Sequence, residues 1–392
     1  MLKLFHRFGI IPRRCTWEIT LACNLRCGHC GSRAGEARPD ELTTEEAFQV
    51  IDDLAALGCR HVSLAGGEPT LRPDWPQLMG RLNARGVRAS MISNGQTWSR
   101  ELTARAREAG VHRMGFSLDG LERTHDCVRK ANKGYRKVLA AIDLCVEAGI
   151  PVVAVTHITR HNLSEIEELH RLLGRHGATV WQVQLGVPMG NMIEDRESIL
   201  GRDDILDLIP RLAELNRQGR PPRVFAADNI GYYGEHEQHL RLSNAKIPFW
   251  VGCRAGLDVL GIESHGDVKG CLSLPSVLNG RTDFVEGNVR QRSLVDIWHD
   301  PDAFAYNRRF RPEHLKGDCA SCEWGEICRG GCTWTSVSHH GHPHQFPQCY
   351  HNFTRAPQAH DVDAAREQLQ SGGAGGRSGQ IETTPVDGGE GI

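Results

Sequence analysis

No stretch of the 392-residue chain approaches 18 uninterrupted apolar residues, which excludes a membrane-spanning helix. The segment Met1 to Arg14 carries basic residues but no apolar core and no small-residue cleavage site, so no secretory signal is expected there. Charge of one sign is missing too: 46 Lys and Arg against 48 Asp and Glu leave a formal −2. That balance removes the electrostatic case for nucleic acid as a main partner. No internal repeat of fixed period is present. A cytoplasmic protein with no membrane partner is expected. In that reducing compartment, 14 cysteines argue for metal binding over disulfides.

What is present is enough apolar residue for a real core, 40% before the 43 glycines are counted. From about residue 14 to 186, strand and helix patterns alternate. Strands are expected at Cys15–Thr20, His61–Ala65, Val87–Ser93, Arg113–Leu118, Val152–Ile158 and Thr179–Leu185. Thr43-Thr44-Glu45-Glu46 reads as a capping box opening a helix to about Leu57, and Ser164-Glu165-Ile166-Glu167 reads the same way. Further helices are expected at Trp75–Ala84, Glu101–Ala109, Tyr135–Ala148 and Asp204–Arg217. Six such β-α steps give an α/β fold, a partial (β/α)6 TIM-like barrel with its chemistry at the C-terminal ends of the strands. We expect an N-terminal extension over 1–13, the barrel over 14–200 and a helical bridge over 201–250, broken at Pro221-Pro222. A small irregular domain held by metal follows over 251–355, then a helical end over 356–392 with a disordered Gly-rich tail from Ser371.

Cys23, Cys27 and Cys30 stand just past the first strand as C-x3-C-x2-C. Thiolates are the ligands of iron–sulfur clusters, and three of them leave one iron of a cubane without a protein ligand. An open metal position is where substrate chemistry enters. A structural zinc site is the alternative, and it lacks a fourth ligand nearby. After the second strand comes Gly66-Gly67-Glu68-Pro69, where glycines permit close backbone approach and a carboxylate can accept from an ammonium. Triplet and G-G-E-P element together resemble the radical S-adenosylmethionine (radical SAM) superfamily.

That resemblance implies a [4Fe-4S] cluster on Cys23, Cys27 and Cys30, with the amino and carboxylate groups of S-adenosylmethionine on the fourth iron. It implies that Gly66, Gly67 and Glu68 meet the methionyl amino group. Ser93, Asn94, Ser117 and Asp119, at the ends of the third and fourth strands, would lie near its carboxylate and ribose. Asn94-Gly95 and Asp119-Gly120 can also be plain turns. His29 occupies a usually aromatic position whose backbone meets the adenine. Arg129, in His125-Asp126-x-x-Arg129, would bind a carboxylate or make a surface ion pair.

Seven cysteines follow: Cys253, Cys271, Cys319, Cys322, Cys328, Cys332 and Cys349. Their order resembles the SPASM extension of radical SAM enzymes, which holds two auxiliary iron–sulfur clusters. By that resemblance Cys319, Cys322, Cys328 and Cys349 bind the outer cluster. Cys253, Cys271 and Cys332 bind the inner one, whose fourth iron is open or takes a non-cysteine ligand. Zinc is again the alternative, but seven cysteines do not divide into closed four-ligand sites. Cys15, Cys59, Cys127 and Cys145 are assigned to packing, and His339-His340-x-His342-x-His344 to a solvated loop. Asp258 and Glu263, between the first two inner cysteines, are candidates for a catalytic base, and neither is selected by the sequence.

The resemblance implies modification of a ribosomally made peptide or protein by crosslinking, thioether formation, epimerisation or oxidation. It also implies a one-electron reductant of flavodoxin or ferredoxin type and oxygen sensitivity. Only about 14 residues precede the first strand, so no N-terminal peptide-binding module is expected. A small-molecule enzyme acting on a tetrapyrrole or sugar side chain is the first alternative, and a non-catalytic iron–sulfur electron carrier the second.

Overall fold

A computed structural model of the protein describes residues 9–241 and 249–354; the tail expected over 356–392 lies outside the described residues. Its spine is one ten-stranded sheet in the order β10-β9-β8-β1-β2-β3-β4-β5-β6-β7. Strands β1 (Arg14–Thr20), β2 (His61–Gly66), β3 (Arg88–Ser93), β4 (Arg113–Ser117), β5 (Val152–Ile158) and β6 (Val180–Leu185) are the six expected from the sequence. They pair in parallel with neighbours consecutive in sequence, the curled sheet of a partial barrel.

Burial explains the strand sequences. Parallel strands covered by crossover helices are apolar throughout, as in Val152-Val153-Ala154-Val155 of β5, all buried. Trp17, Ile19, Leu64, Met91, Phe116 and Trp181 share one core with the inner faces of the helices. Those are α1 (Thr44–Ala56), α2 (Trp75–Ala84), α3 (Arg100–Glu108), α4 (Glu122–Arg129), α5 (Gly134–Glu147), α6 (Ile166–Arg175) and α7 (Arg202–Arg217). The expected capping box opens α1: the Glu46 amide donates to the Thr43 hydroxyl at 3.2 Å and the Thr43 amide to the Glu46 carboxylate at 2.8 Å.

The structure departs from expectation in four places. The Ser164 box is absent: Leu163–Glu165 forms a 3-10 turn, and α6 begins at Ile166 without a side-chain cap. The stretch expected as a helical bridge also contributes β7 (Arg223–Ala226), paired in parallel with β6. The cysteine-rich region is no separate lobe at its start, because β8 (Val259–Ile262) pairs in parallel with β1 on the free edge of the barrel. Two short antiparallel strands, β9 (Asp267–Lys269) and β10 (Gly287–Asn288), continue the sheet beyond it. Finally, His339 and His340 close a helix, Thr333–His340, and His344 is buried against the Arg329 carbonyl at 2.9 Å, so these histidines do not form a solvated loop.

Candidate active site and metal centres

All fourteen cysteines are free thiols, and ten of them gather in three groups. Cys23, Cys27 and Cys30 occupy the loop after β1, packed with Leu25 and Ala131. That loop is fastened from several sides. The Cys23 amide donates to the Gly35 carbonyl at 2.9 Å, and the Gly28 amide to the Val128 carbonyl at 2.8 Å. Asn191 donates from its side chain to the Cys27 carbonyl at 2.8 Å and from its amide to the Cys30 carbonyl at 3.0 Å.

The G-G-E-P element lies flush against this loop. The Gly67 amide donates to the Thr20 carbonyl at 2.8 Å, and the Glu68 amide to the Ala22 carbonyl at 2.7 Å. A Cβ on Gly67 would stand 2.2 Å from the Ala22 oxygen, which is why glycine is required there. Glu68 itself is fully buried and internally engaged. It accepts from the Ser93 hydroxyl at 2.9 Å, the Thr70 hydroxyl at 2.7 Å and the Asn94 amide at 2.8 Å. Burial raises its carboxyl above the ordinary range against the pull of those donors. The Glu68 side chain clamps the end of β2 to the end of β3, with the backbone of Gly66 and Gly67 directly before it.

Asn94 reaches back to the thiol loop, its side-chain amide 2.7 Å from the Asn24 oxygen. Ser117 is half-buried at the end of β4. Asp119 is 1% exposed and also engaged, with Arg129 Nε at 2.7 Å, His29 Nε2 at 3.2 Å and the His157 amide at 2.9 Å. Burial opposes its charge, yet Arg129 and His29 outweigh it and hold the carboxyl well below the usual range. Arg129 is thus an internal partner of Asp119, not a surface arginine. The His157 ring lies 4.9 Å from that of His29, tilted at 55°, a neighbour that no local signal in the sequence announces.

A cavity of about 490 Å³ between the barrel mouth and the cysteine-rich region takes His29, Gly31 and Ser32 of the cysteine loop into its lining, with Gly66, His157, Gln184 and Trp334. Glu263 lines it, following directly on β8. Lys269 donates to Glu263 at 2.7 Å, and Arg38 lies 3.6 Å from it and 2.7 Å from Glu18. Burial works against the Glu263 charge, but Lys269 holds its carboxyl below the ordinary value. Asp258, the other candidate base, stands before β8, at the opposite end of that strand, bound to Arg254 at 2.7 Å and outside this cavity.

The remaining seven cysteines fall into two sets. Cys319, Cys322 and Cys349 all act electrostatically on the buried Cys328. Cys253 and Cys271 act in the same way on Cys332, and the three line a second cavity of about 200 Å³. The two cavities share Gln184, Ser273, Leu274 and Trp334 as a common wall. Of the four cysteines assigned to packing, Cys15, Cys59 and Cys145 are buried, whereas Cys127 is exposed.

Two observations fit these sets to iron–sulfur groups. Burial pushes the Cys27 and Cys271 thiols up to about 11 and Cys349 to about 12, so the thiolate becomes the resting form only beside a strong cation such as a metal. Arg329, 3% exposed, sits between the sets with Nε and Nη1 unpartnered and no carboxylate against it among the described residues. A buried guanidinium calls for an anion, and a thiolate-ligated cluster is one.

A parallel half-barrel with three cysteines grouped in the loop after its first strand is the frame in which the comparisons with known proteins fall. The chain belongs to the radical SAM superfamily: the sequence model of that superfamily matches residues 17–173, and that of SPASM, an iron-sulfur cluster-binding domain, matches 253–323. An AdoMet-dependent heme synthase of Methanosarcina barkeri is 30% identical over 330 residues, 81% of this chain and 90% of that protein. The mycofactocin maturase MftC of Mycobacterium ulcerans is 31% identical over 327 residues, 81% and 82% of the two chains. Among solved structures, Streptococcus suis SuiB bound to S-adenosylmethionine superposes with a TM-score of 0.66 at 20% identity, covering 86% of this chain and 76% of that one. The protein anSMEcpe with bound AdoMet gives 0.66 at 17% identity, covering 92% and 99%. At those identities the likeness is one of fold. The superfamily cofactors are a [4Fe-4S] cluster with S-adenosylmethionine, and the SPASM domain adds auxiliary iron–sulfur clusters. No helix among the described residues is long and apolar enough to cross a membrane.

Proposed function

We propose that this radical SAM enzyme modifies a ribosomally synthesised peptide or protein. Cys23, Cys27 and Cys30 hold the catalytic cluster; Cys319, Cys322, Cys328 and Cys349 the outer auxiliary cluster; Cys253, Cys271 and Cys332 the inner one. We assign the radical-forming core to 14–200, extended by β7, and the auxiliary region to 251–355. When bound, the cluster and its sulfonium nucleotide supply a carbon-centred radical that abstracts hydrogen from the substrate.

The chain's own residues bind and orient. The backbone of Gly66 and Gly67 offers carbonyls to the methionyl ammonium, Asn94 and Ser117 polar contacts to the nucleotide, and the backbone of His29 a face for the adenine. Asp119, Arg129 and His157 keep the His29 ring in place. Glu263 is the one candidate base that lines the cavity, and a proton it accepts would be held beside Lys269. Across the shared wall, Cys253, Cys271 and Cys332 would hold a cluster able to supply electron-accepting chemistry, and a flavodoxin- or ferredoxin-type donor would be the external reductant.

The observation that carries the peptide reading is the charge balance of the cavity. Its two basic side chains, Arg38 and Lys269, are committed to Glu18 and Glu263. A wall so neutralised suits one amino-acid side chain better than a substrate with several carboxylates. The relatives named heme synthases favour a second reading, a porphyrin side chain as substrate. The test incubates anaerobically reconstituted enzyme with reductant, S-adenosylmethionine and either a short peptide encoded beside its gene or a propionate-bearing porphyrin. A mass change on the peptide coupled to 5′-deoxyadenosine supports the proposal; a change on the porphyrin alone overturns it.

A further inference from the structure

We infer that the Asp228 carboxylate is the fourth protein ligand of the inner auxiliary cluster. This rests on Cys253, Cys271 and Cys332 holding that cluster, as proposed above. The thiols of Cys253, Cys271 and Cys332 line a cavity of about 200 Å³ together with the Asp228 carboxylate and a fourth thiol, Cys15, which is buried in the barrel core on β1. Asp228 makes no hydrogen bond or ion pair through its side chain among the described residues, although it acts electrostatically on both Cys271 and Cys332.

Its backbone, by contrast, is pinned on every side. The Ala227 amide donates to the Val183 carbonyl at 2.9 Å. The Asn229 side chain accepts from the Leu185 amide at 3.1 Å and donates to the Leu185 carbonyl at 3.0 Å. Tyr232 then ties this segment to a cluster cysteine: its hydroxyl donates to the Asp228 carbonyl and accepts from the Cys332 amide at 3.1 Å. The barrel thus fixes the Asp228 backbone relative to Cys332, while its exposed carboxylate acts electrostatically on Arg254 and Arg241 without a hydrogen-bonded partner among the described residues. Other polar lining groups are engaged: His61 with the Ser90 hydroxyl at 2.8 Å, and the Ser273 hydroxyl with the Cys271 sulfur. A carboxylate from the turn after β7 completes the odd-numbered cysteine count and binds the cluster to the barrel as well as to the cysteine-rich region.

The test uses the full chain with Cys23, Cys27 and Cys30 replaced by alanine, so that only auxiliary clusters remain, reconstituted anaerobically. Carbon-13 cyanide is added to the reduced protein and its coupling to the cluster read by electron–nuclear double resonance. With Asp228 present no carbon-13 coupling is expected. Asp228→Ala should open an iron and produce the coupling, and Asp228→Cys should abolish it again. Coupling in the presence of Asp228, or none in a fully iron-loaded Asp228→Ala protein, overturns the assignment. If Asp228→Ala folds but loses the inner cluster's iron, restoration by Asp228→Cys supports it and failure to restore overturns it. Cys271→Ala separates the two levels: if it keeps the inner cluster's iron, the cysteine assignment itself has failed, whatever Asp228 does.

Discussion

The carboxylate of Glu68 accepts three well-formed hydrogen bonds at zero exposure, so removing it strands three donors in the interior. We expect Glu68→Ala to cost about 3 kcal/mol of stability in denaturant titration and to weaken nucleotide binding through the displaced ends of β2 and β3. A loss confined to binding, with stability unchanged, would mean that the carboxylate meets the ligand directly. His61 gives a second single-residue expectation. Burial, reinforced by Arg113 and Arg88, pushes its imidazole down to about 3. The unfolded chain takes up that proton below about 6.5, and the fold resists until about 3. The stability linked to His61 is therefore present above about 6.5 and lost as pH falls toward about 3. His61→Gln should flatten the decline of melting temperature with acid over that window; an unchanged slope contradicts the assignment. At this scale the sequence is legible where chemistry and spacing coincide, as at Cys23, Cys27 and Cys30. The internal partners of Glu68, Asp119 and Arg329 were not legible, because folding alone brings them near.

Six strands and most crossover helices could be read from apolar runs and caps, because each carries its own periodicity. Strands β7 to β10 could not. They are two to four residues long; the edges of β6 and β1 decide the pairing of β7 and β8, and β9 and β10 follow on β8. The β1–β8 seam is nonetheless what positions the auxiliary region. A Cβ on Gly261 in β8 would stand 2.2 Å from the Leu272 amide nitrogen, next to Cys271. Gly261→Ala should push that turn away and lower the iron content by the inner cluster's share while leaving nucleotide cleavage intact. Full iron content in Gly261→Ala would show that the seam does not set the position of Cys271. The cap of α1 reaches the same region, since Glu46 also pairs with Arg290 at 2.7 Å.

Across the whole molecule, two cavities meet at a wall of Gln184, Ser273, Leu274 and Trp334, the first beside the N-terminal thiols and the second inside the inner cysteine set. On the proposed function, this arrangement would separate making a radical from finishing a product. Cys322→Ala, far along the chain from the first set, should spare S-adenosylmethionine cleavage and reduce product at least tenfold. Equal loss of both in turnover assays would assign the outer set to folding alone.

The most direct test of the central claim is 5′-deoxyadenosine formation by iron-loaded protein under nitrogen with dithionite and S-adenosylmethionine. The account predicts that the unaltered chain forms the nucleoside and that Cys27→Ala, still folded and still carrying auxiliary iron, forms none. Intact S-adenosylmethionine with the fully loaded wild-type protein, or undiminished cleavage by Cys27→Ala, would contradict it.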